Sequence, residues 1–381
     1  MSMYIYADNA ATTKLDIDAF EAMKPYLLYD FGNVSQPYSF SRKPKKALKQ
    51  ARKTIAECIG AEPEYIFFTS GGSESDNWAI KRFSQSITNV SNIITSNIEH
   101  HAVLHAVESE KMYSNANIFY IQADNKGIID VGQLEQILSH IRDISISYES
   151  TLVSVMLANN EIGTIQPIKE LATVAHEYGV KFHTDAVQAV GHIPIDVKKL
   201  GISMLSASAH KFNGPKGIGF LYAEGGIPNL IDGGAQEMGA RAGTENVAAI
   251  VGMATALQKN CIEMGLNTKK ILNLENMLIS RLSASGLDFI RNGVNQLPGN
   301  ISLSFAEADG EMLLHRMDLK NICISTGSAC DSVNTQVSHV IKAIGVPEKY
   351  ANGTIRISLG KENSENDVAM IADALIAILN G

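Results

Sequence analysis

The sequence predicts a doubly wound α/β domain followed by a smaller α+β unit, and two observations support this prediction. Short apolar runs rich in β-branched and aromatic residues recur between residues 65 and 222, and helical patterns separate several of them. This alternation is typical of a largely parallel sheet that helices cover on both faces. After Glu245 the pattern changes to a long helical stretch and then to further strands.

Seven runs in the first region are predicted to be buried strands. They are YIFFT (65–69), NIIT (92–95), IFYI (118–121), LVSVML (152–157), VKFH (180–183), MLSAS (204–208) and GIGFLY (217–222). Helical patterns extend from Glu74 to Phe83, His101 to Met112, Leu134 to Ile141 and Ile168 to Tyr178. The basic run from Arg42 to Lys53 has an apolar helical face, which favours a solvated amphipathic helix over a binding site for an acidic partner or RNA.

The second region begins with a helical stretch from Glu245 to about Leu282, which we expect to be interrupted or bent near Gly265 and to contain a domain boundary. The strands predicted after it are NISLSF (300–305), NICIS (321–325) and TIRISL (354–359). Helical patterns adjoin each of them, which indicates a smaller α+β unit.

Composition and charge exclude several classes of protein. The chain has 381 residues, of which 45% are hydrophobic and 19% charged, as expected for a globular protein with a packed core. The net charge of −8 disfavours nucleic acid as the main ligand. No run of 18 apolar residues occurs and no basic residue precedes Lys14, so we expect neither a membrane span nor a signal peptide, and a cytoplasmic location.

The residues that commonly bind metals do not form a metal-binding motif. The chain has four cysteines, and no two of them form a CxxC pair. Their spacing therefore argues against a disulfide framework or a structural zinc site. His101 and His105 lie one helical turn apart beside His100, but the HExxH pattern is absent and no acidic or thiol ligand is suitably spaced. We therefore expect no metal.

A turn rich in glycine joins the first predicted strand to a helix. In FTSGGSES the backbone N–H groups of Gly71, Gly72 and Ser73 would face outward at a helix N-terminus, which is a geometry that binds phosphate. A tight strand-to-helix turn with no ligand explains the glycines equally well.

Two charged residues follow later strands. Asp185 closes the run VKFHTD, at the sheet edge where ligands bind in open α/β folds. Lys211 follows SASAH at the end of a buried strand, where a desolvated amine could form a Schiff base. A phosphate site, an acid for a pyridinium nitrogen and a buried lysine are together what pyridoxal phosphate requires.

Two residues of the C-terminal region could act on a substrate. Cys330 lies in the small polar segment STGSACDS, whereas Cys58, Cys261 and Cys323 lie in predicted helices or strands as packing residues. Cys330 is therefore the candidate nucleophile, with an incidental loop thiol as the alternative. Arg356 lies on a predicted strand. Its guanidinium group could bind a carboxylate through two nitrogens, or it could pair with an internal acid.

Motifs along nearly the whole chain, in the expected order, resemble those of the pyridoxal phosphate-dependent cysteine desulfurases. They are YADNAATT (6–13), FTSGGSESDNWAI (68–80), IEHHAVL (98–104), ANNEIGTIQPI (158–168), HTDAVQAVG (183–191), SASAHKFNGPKGIG (206–219), GARAGTENV (239–247), STGSACDS (325–332) and TIRISLG (354–360). The long segment after SAC resembles the group with a mobile catalytic-cysteine loop.

The resemblance implies the fold-type I arrangement of pyridoxal phosphate-dependent transferases. A large domain with a mainly parallel seven-stranded sheet would occupy residues 16–258. A smaller α+β domain would combine residues 1–15 with 259–381 and would carry the Cys330 loop and Arg356.

The resemblance also implies a role for each matching residue. Lys211 would hold the cofactor covalently, Asp185 would bind its ring nitrogen, and His100 would stack on the ring and assist proton transfer. The other implied cofactor contacts are Asn160 and Gln188 near the ring hydroxyl, Gly72, Ser73, Ser208 and His210 at the phosphate, and Thr244 from a second subunit. Asn33 and Arg356 would bind the substrate carboxylate, and Cys330 would attack sulfur.

The function implied is desulfuration of L-cysteine to L-alanine by a homodimer, with a persulfide formed on the enzyme and passed to a sulfur acceptor such as an iron–sulfur scaffold protein. Two alternatives remain open. A related pyridoxal phosphate lyase or transaminase for another amino or selenoamino acid would not need Cys330. A scaffold that only carries sulfur within an assembly would tolerate loss of Lys211.

Overall fold

The structure, a computed structural model, describes residues 4–85, 91–143, 150–326 and 337–381. The strands are β1 (Ile5–Tyr6), β2 (Ile66–Thr69), β3 (Asn92–Ser96), β4 (Asn117–Ile121), β5 (Thr151–Ser154), β6 (Lys181–Asp185), β7 (Met204–Ser208), β8 (Gly219–Ala223), β9 (Phe289–Asn292), β10 (Asn300–Phe305), β11 (Ile322–Cys323) and β12 (Thr354–Ser358). The helices are α1 (Ile17–Leu28), α2 (Arg42–Ile59), α3 (Gly72–Gln85), α4 (His101–Ser114), α5 (Val131–Asp143), α6 (Ile168–Glu177), α7 (Val197–Leu200), α8 (Val247–Ala284), α9 (Gly310–Asp318), α10 (His339–Ala343), α11 (Glu348–Ala351) and α12 (Glu365–Asn380).

Seven strands form the main sheet in the order β2, β8, β7, β6, β5, β3, β4. The neighbours from β7 to β4 are parallel, and β8 runs antiparallel to both β7 and β2. The prediction of a mainly parallel sheet is confirmed. Strands β3, β5, β7 and β8 are buried along their whole length, and β6 is buried except at Lys181, which explains why their sequences are rich in apolar residues.

The parallel strands end at one edge of the main sheet, and the polar side chains that follow them collect there. Asp185 is the last residue of β6 and Ser208 the last residue of β7. The turn after β2 leads into the N-terminus of α3 at Gly72. This edge is where open α/β sheets bind ligands.

Two smaller sheets complete the fold. Strands β12, β10 and β9 form an antiparallel sheet, and β1 pairs in parallel with β11. The first residues of the chain thus join the C-terminal part of the fold. Strand β9 was not predicted, because FIRN carries charged and half-exposed positions instead of a continuous apolar run.

The predicted interruption near Gly265 is wrong, because α8 is one helix of 38 residues. A glycine costs about 1 kcal/mol relative to alanine inside a helix, and packing at both ends of α8 outweighs that cost. Ile250 and Leu257 pack in the core of the main sheet, whereas Leu274 and Leu278 pack in a second core with β10 and α12. The domain boundary within this helix stays a prediction.

Other corrections concern the ends of elements. Strand β5 ends at Ser154 and does not reach Leu157, since the N–H of Met156 donates to the Glu99 carboxylate at 3.0 Å. The basic run is a helix as predicted, but α2 continues to Ile59. No helix in the described part of the chain has the length and apolar character needed to cross a membrane.

Candidate active site

A cavity of about 260 Å³ lies at the ligand edge of the main sheet. Its lining includes nine residues predicted to bind the cofactor or to act in catalysis: Gly72, Ser73, His100, Asn160, Asp185, Gln188, Ser208, His210 and Lys211. Ala11, Asp76, Met156 and Val187 complete the lining. The topology therefore brings together residues from Ala11 to Lys211, which are far apart in the chain.

Lys211 lies in a short 3₁₀ turn, Ala209–Lys211, directly after β7. Its Nζ donates hydrogen bonds to the carbonyl oxygens of Ala10 at 2.6 Å and Ala11 at 2.9 Å. The Gln188 amide donates to the same Ala10 oxygen at 3.0 Å. Two carbonyls of the N-terminal segment thus hold the amine at the cavity wall.

Asp185 is 5% exposed, and its carboxylate accepts a hydrogen bond from the Val187 N–H at 2.9 Å. Burial raises the pKa of Asp185, while the nearby His100 and Lys211 lower it. A cation bound in the cavity would add to this lowering, because an opposite charge favours the ionised acid.

His100 is the N-cap of α4, and its Nδ1 accepts a hydrogen bond from the Ala102 N–H at 3.1 Å. Burial is the main cause that lowers the pKa of His100; Asp185 opposes this effect and Lys211 adds to it. The ring is therefore neutral with its proton on Nε2, because Nδ1 already serves as an acceptor.

The opposite wall combines the N-terminus of α3 with Ser208 and His210. An ideal Cβ on Gly72 would lie 2.6 Å from Val187 Cγ2, so glycine is needed there for packing. His210 Nδ1 lies 3.1 Å from Thr12 Oγ1, and burial, followed by Lys211, lowers the pKa of His210 to about 4. This ring is neutral at physiological pH and could donate or accept one hydrogen bond.

Three of the predicted residues that the structure describes, Asn33, Thr244 and Arg356, do not line this cavity. Asn33 accepts a hydrogen bond from the Ser35 N–H in the loop after α1. Thr244 is exposed and lines a separate hollow near Phe68 and Arg241. Cys330 lies outside the described residues.

Arg356, the third of these residues, is 3% exposed on β12. Its Nη2 donates to Asp8 Oδ1 at 2.7 Å and its Nη1 donates to the Asn160 carbonyl at 3.0 Å. Arg356 therefore pairs with an internal acid, which was one of the two predicted alternatives. Its Nε has no hydrogen-bond partner among the described residues and could still serve a ligand.

A group of buried polar residues at the cavity wall and behind it was missed at the sequence level: Asp76, Glu99, His183 and Ser206. Two spacings could have indicated it. Asp76 lies one helical turn after Gly72, and His183 shares a strand face with Asp185 two residues later.

The other cysteines are placed as packing residues. Cys58 on α2 and Cys261 on α8 pack against the core of the main sheet, and their side chains hydrogen-bond to each other. That hydrogen bond, together with burial, raises the pKa of Cys58, and the same bond lowers the pKa of Cys261. Cys323 on β11 has a raised pKa through burial and the nearby Asp318 and Asp8.

The His101 and His105 rings lie with centroids 5.1 Å apart at a tilt of 33°, and the His101 ring centroid lies 4.9 Å from that of His339. Within the described ranges, no group of three or more histidine, cysteine, aspartate or glutamate side chains is arranged to hold a metal ion.

The cavity fits pyridoxal phosphate by the chemistry of its donors. It combines a lysine amine, a buried carboxyl group, and the N-terminus of a 14-residue helix beside a serine hydroxyl. Its wall also contains Asp76 Oδ1, a buried oxygen that has no hydrogen-bond partner among the described residues. Lys211 and Asp185 would hold the reactive end and the ring nitrogen of this cofactor.

Comparisons with known proteins agree with this chemistry. The aminotransferase class-V family model matches residues 5–371. A protein of Dictyoglomus turgidum named "Cysteine desulfurase IscS" is 44% identical over 385 residues, covering 100% of this chain and 95% of that protein. A protein of Methanosarcina thermophila with the same name is 44% identical over 382 residues, covering 98% of this chain and 92% of that protein.

Solved structures show the same fold. A structure titled "NIFS-LIKE PROTEIN" superposes with a TM-score of 0.90 at 34% identity, covering 99% of this chain and 100% of that chain. Aminotransferase class-V proteins and cysteine desulfurases depend on pyridoxal phosphate, which is the cofactor that the cavity fits. This chain belongs to the aminotransferase class-V family, among its cysteine desulfurases.

Proposed function

We propose that this protein converts L-cysteine to L-alanine and transfers the sulfur to Cys330 as a persulfide. The observation that carries the proposal is the placement of the Lys211 amine and the buried Asp185 carboxyl in one cavity. The names of the relatives support it, as does a structure titled "SspA in complex with cysteine", which superposes with a TM-score of 0.81 at 34% identity and covers 94% of this chain and 100% of that chain.

Lys211 has two tasks in this reaction. It would hold the cofactor, and its free amine would remove the proton from the cysteine Cα. Pyridoxal phosphate supplies the electron sink that makes this proton acidic. The carbonyls of Ala10 and Ala11 keep the freed amine within the cavity, which is the positioning that efficient proton transfer needs.

His100 and Asp185 act beside the lysine. The Ala102 N–H occupies His100 Nδ1, so only Nε2 can give or take a proton in the cavity. Asp185 as a carboxylate stabilises positive charge on the ring nitrogen, and its hydrogen bond from Val187 keeps it oriented. In this proposal Asn160 and Gln188 also contact the cofactor ring. The cofactor phosphate is bound by Gly72, Ser73, Ser208 and His210.

Cys330 completes the reaction as the nucleophile. Its thiolate forms a bond with the substrate sulfur while the bond between that sulfur and the substrate Cβ breaks. The electron pair of the broken bond stays with the carbon, which takes up a proton to become the methyl group of alanine. The sulfur remains on Cys330 as a persulfide.

We assign the substrate carboxylate to Arg356 and Asn33. The Arg356 guanidinium lies next to the cavity through its hydrogen bond to the Asn160 carbonyl, and Asn160 itself lines the cavity. Replacing Arg356 with lysine should raise KM for cysteine about tenfold or more, because loss of a charged hydrogen bond costs about 1.5–3 kcal/mol. Steady-state kinetics measure this, with Arg291→Lys on β9 of the same sheet as the matched control. An unchanged kcat/KM would remove Arg356 from the substrate site.

The function as a whole is tested by a visible spectrum of the purified protein, recorded before and after cysteine is added, together with an assay for alanine. We expect cofactor absorbance that changes with cysteine, and alanine produced in step with sulfide in the presence of a thiol reductant. Cofactor without alanine would instead indicate a lyase or transaminase for another amino acid. A protein that takes up no cofactor would contradict the proposal.

We further propose that the protein acts as a homodimer in which Thr244 reaches the cofactor phosphate of the partner. Thr244 is exposed and lies outside the cavity of its own chain. Large apolar side chains on and after α1 are exposed as well, among them Leu28 at 60%, Tyr29 at 71% and Phe31 at 69%. A second copy would cover such a patch. A monomeric mass in analytical ultracentrifugation would contradict this assembly.

We propose that the protein lies in the cytoplasm. We also propose that its sulfur acceptor is a scaffold protein of iron–sulfur cluster assembly. The name IscS carried by the relatives supports the acceptor. Transfer of ³⁵S from the loaded enzyme to such a scaffold tests it directly, and no transfer at equimolar scaffold would contradict it.

A further inference from the structure

The loop that leads to Thr244 is largely exposed, but one buried carboxylate anchors it. Residues 231–235, 238 and 239 are exposed, whereas Glu237 between them is 5% exposed in a short 3₁₀ turn. Glu237 Oε1 accepts a hydrogen bond from Arg52 Nη2 at 2.7 Å, and its Oε2 accepts one from Arg52 Nη1 at 2.8 Å. An ion pair with two parallel hydrogen bonds fixes orientation as well as distance.

The same ion pair attaches the loop to β2, an edge strand of the main sheet. The Phe68 N–H donates to Glu237 Oε2 at 2.9 Å. The Arg52 guanidinium donates to the Ile66 carbonyl, and its Cζ lies 4.3 Å from the centroid of the Phe68 ring. The side chains of Arg52 and Glu237 are 14% and 3% exposed, so water competes little for these contacts.

The backbone at this anchor is strained. Glu237 and Met238 have φ values of 48° and 58°, in the left-handed region that residues with a Cβ rarely adopt. Such residues persist where surrounding contacts hold them in place. The Glu237 side chain makes those contacts, because Met238 is 61% exposed. Weakening the ion pair would therefore let the turn relax to another backbone conformation.

A hydrogen bond connects the anchored turn to the segment that carries Thr244. Gln236 directly precedes Glu237, and its Oε1 accepts a hydrogen bond at 3.2 Å from the N–H of Gly243, the neighbour of Thr244. Glu237 and Thr244 also line one hollow of about 80 Å³. A change in the turn at Glu237 would therefore move Gln236 and alter the position of Thr244.

We propose that Arg52 and Glu237 are positioning residues that hold this strained loop so that Thr244 reaches the cofactor phosphate in the partner subunit. The ion pair of one subunit thereby determines how tightly the other subunit binds pyridoxal phosphate. This inference rests on the proposed homodimer and on the proposed role of Thr244. A purely structural role, in which the pair only protects the edge of β2, would affect its own subunit alone.

The test uses heterodimers in which only one cavity can attach the cofactor covalently. One subunit carries Lys211→Ala and supplies Thr244 to the intact cavity of the other, and two affinity tags allow the mixed dimer to be purified. The loaded heterodimer is equilibrated at a series of pyridoxal phosphate concentrations. Borohydride then fixes the cofactor on Lys211 of the intact subunit, and mass spectrometry of that subunit gives the Kd of its cavity.

The main variant combines Arg52→Met with Glu237→Gln. Removing both charges avoids a buried unpaired ion, so we expect a thermal stability close to that of the wild type. In the Lys211→Ala subunit, this variant should raise the Kd of the intact cavity about tenfold or more, because it weakens a hydrogen bond to a charged phosphate. Thr244→Ala in the same subunit should have an effect of the same size.

A second variant and a matched control accompany the main variant. Arg52→Lys keeps the positive charge but loses the two parallel hydrogen bonds, and it should raise the same Kd when it lies in the Lys211→Ala subunit. Lys53→Met is the control, because Lys53 is next to Arg52 on α2 and pairs with Glu57 on the exposed side of the helix. It should leave the Kd unchanged in either subunit.

Three results would overturn the inference. If Thr244→Ala raises the Kd but the changes at Arg52 and Glu237 do not, the inference alone fails. An effect that appears only when those changes lie in the subunit with intact Lys211 would also overturn it, because the pair would then act within its own subunit. An unchanged Kd with Thr244→Ala would contradict the proposed role of Thr244 as well as this inference.

Discussion

Replacing Lys211 with alanine should abolish covalent cofactor attachment. It should also lower the rate of cysteine desulfuration by about a thousandfold or more, which lies within the range that a positioned acid–base group contributes to a reaction rate. The structure explains why no other side chain would replace it. The Ala10 and Ala11 carbonyls hold the Lys211 amine at the cavity wall, and no other lysine lines the cavity in the described chain.

Borohydride reduction followed by peptide mapping measures the attachment. The label should lie on Lys211 in the wild type and be absent from the variant. Lys216, which is exposed five residues later, provides the matched control, and Lys216→Ala should keep both label and activity. Label on Lys216 in the wild type would contradict the assignment.

Replacing Cys330 with alanine should leave cofactor and cysteine binding intact but prevent persulfide formation. No described cysteine lines the cavity, so none is placed to substitute for it. Cys58 and Cys261 lie in helices packed against the core, and burial together with Asp318 and Asp8 raises the pKa of Cys323, which keeps that thiol protonated and a poor nucleophile.

The persulfide is measured by alkylation and mass spectrometry after one turnover with cysteine. Wild type and the matched control Cys323→Ala should both carry the additional sulfur on Cys330. Normal alanine and sulfide production by Cys330→Ala would remove this residue from the reaction.

The sequence predicted the sheet and part of the cavity from local patterns, whereas the roles of His100, Asn160 and Gln188 were expected only from the family resemblance. Buried strands appear as apolar runs, and polar residues directly after them collect at one edge of a parallel sheet. Asp185 and Lys211 could be located in this way. Strand β9 and the unbroken α8 could not, because tertiary packing outweighed a weak strand pattern and an internal glycine.

Contacts between distant segments were beyond the reach of sequence patterns. The sequence left open whether Arg356 binds a substrate or an internal acid, and the structure pairs it with Asp8, which is 348 positions earlier. The hydrogen bond between His183 and Ser206 likewise joins β6 to β7. No spacing within one element could show which of these residues meet.

The pairing of the chain's first strand with its C-terminal part has a consequence for biosynthesis. Asp8 leaves the ribosome 348 residues before its partner Arg356. The main sheet can form while this N-terminal segment still has no strand to join, and the carbonyls of Ala10 and Ala11 reach Lys211 from that same segment. Closing so long a loop is entropically costly and slow. Lys211 therefore acquires its final surroundings only after β11 and Arg356 have been synthesised.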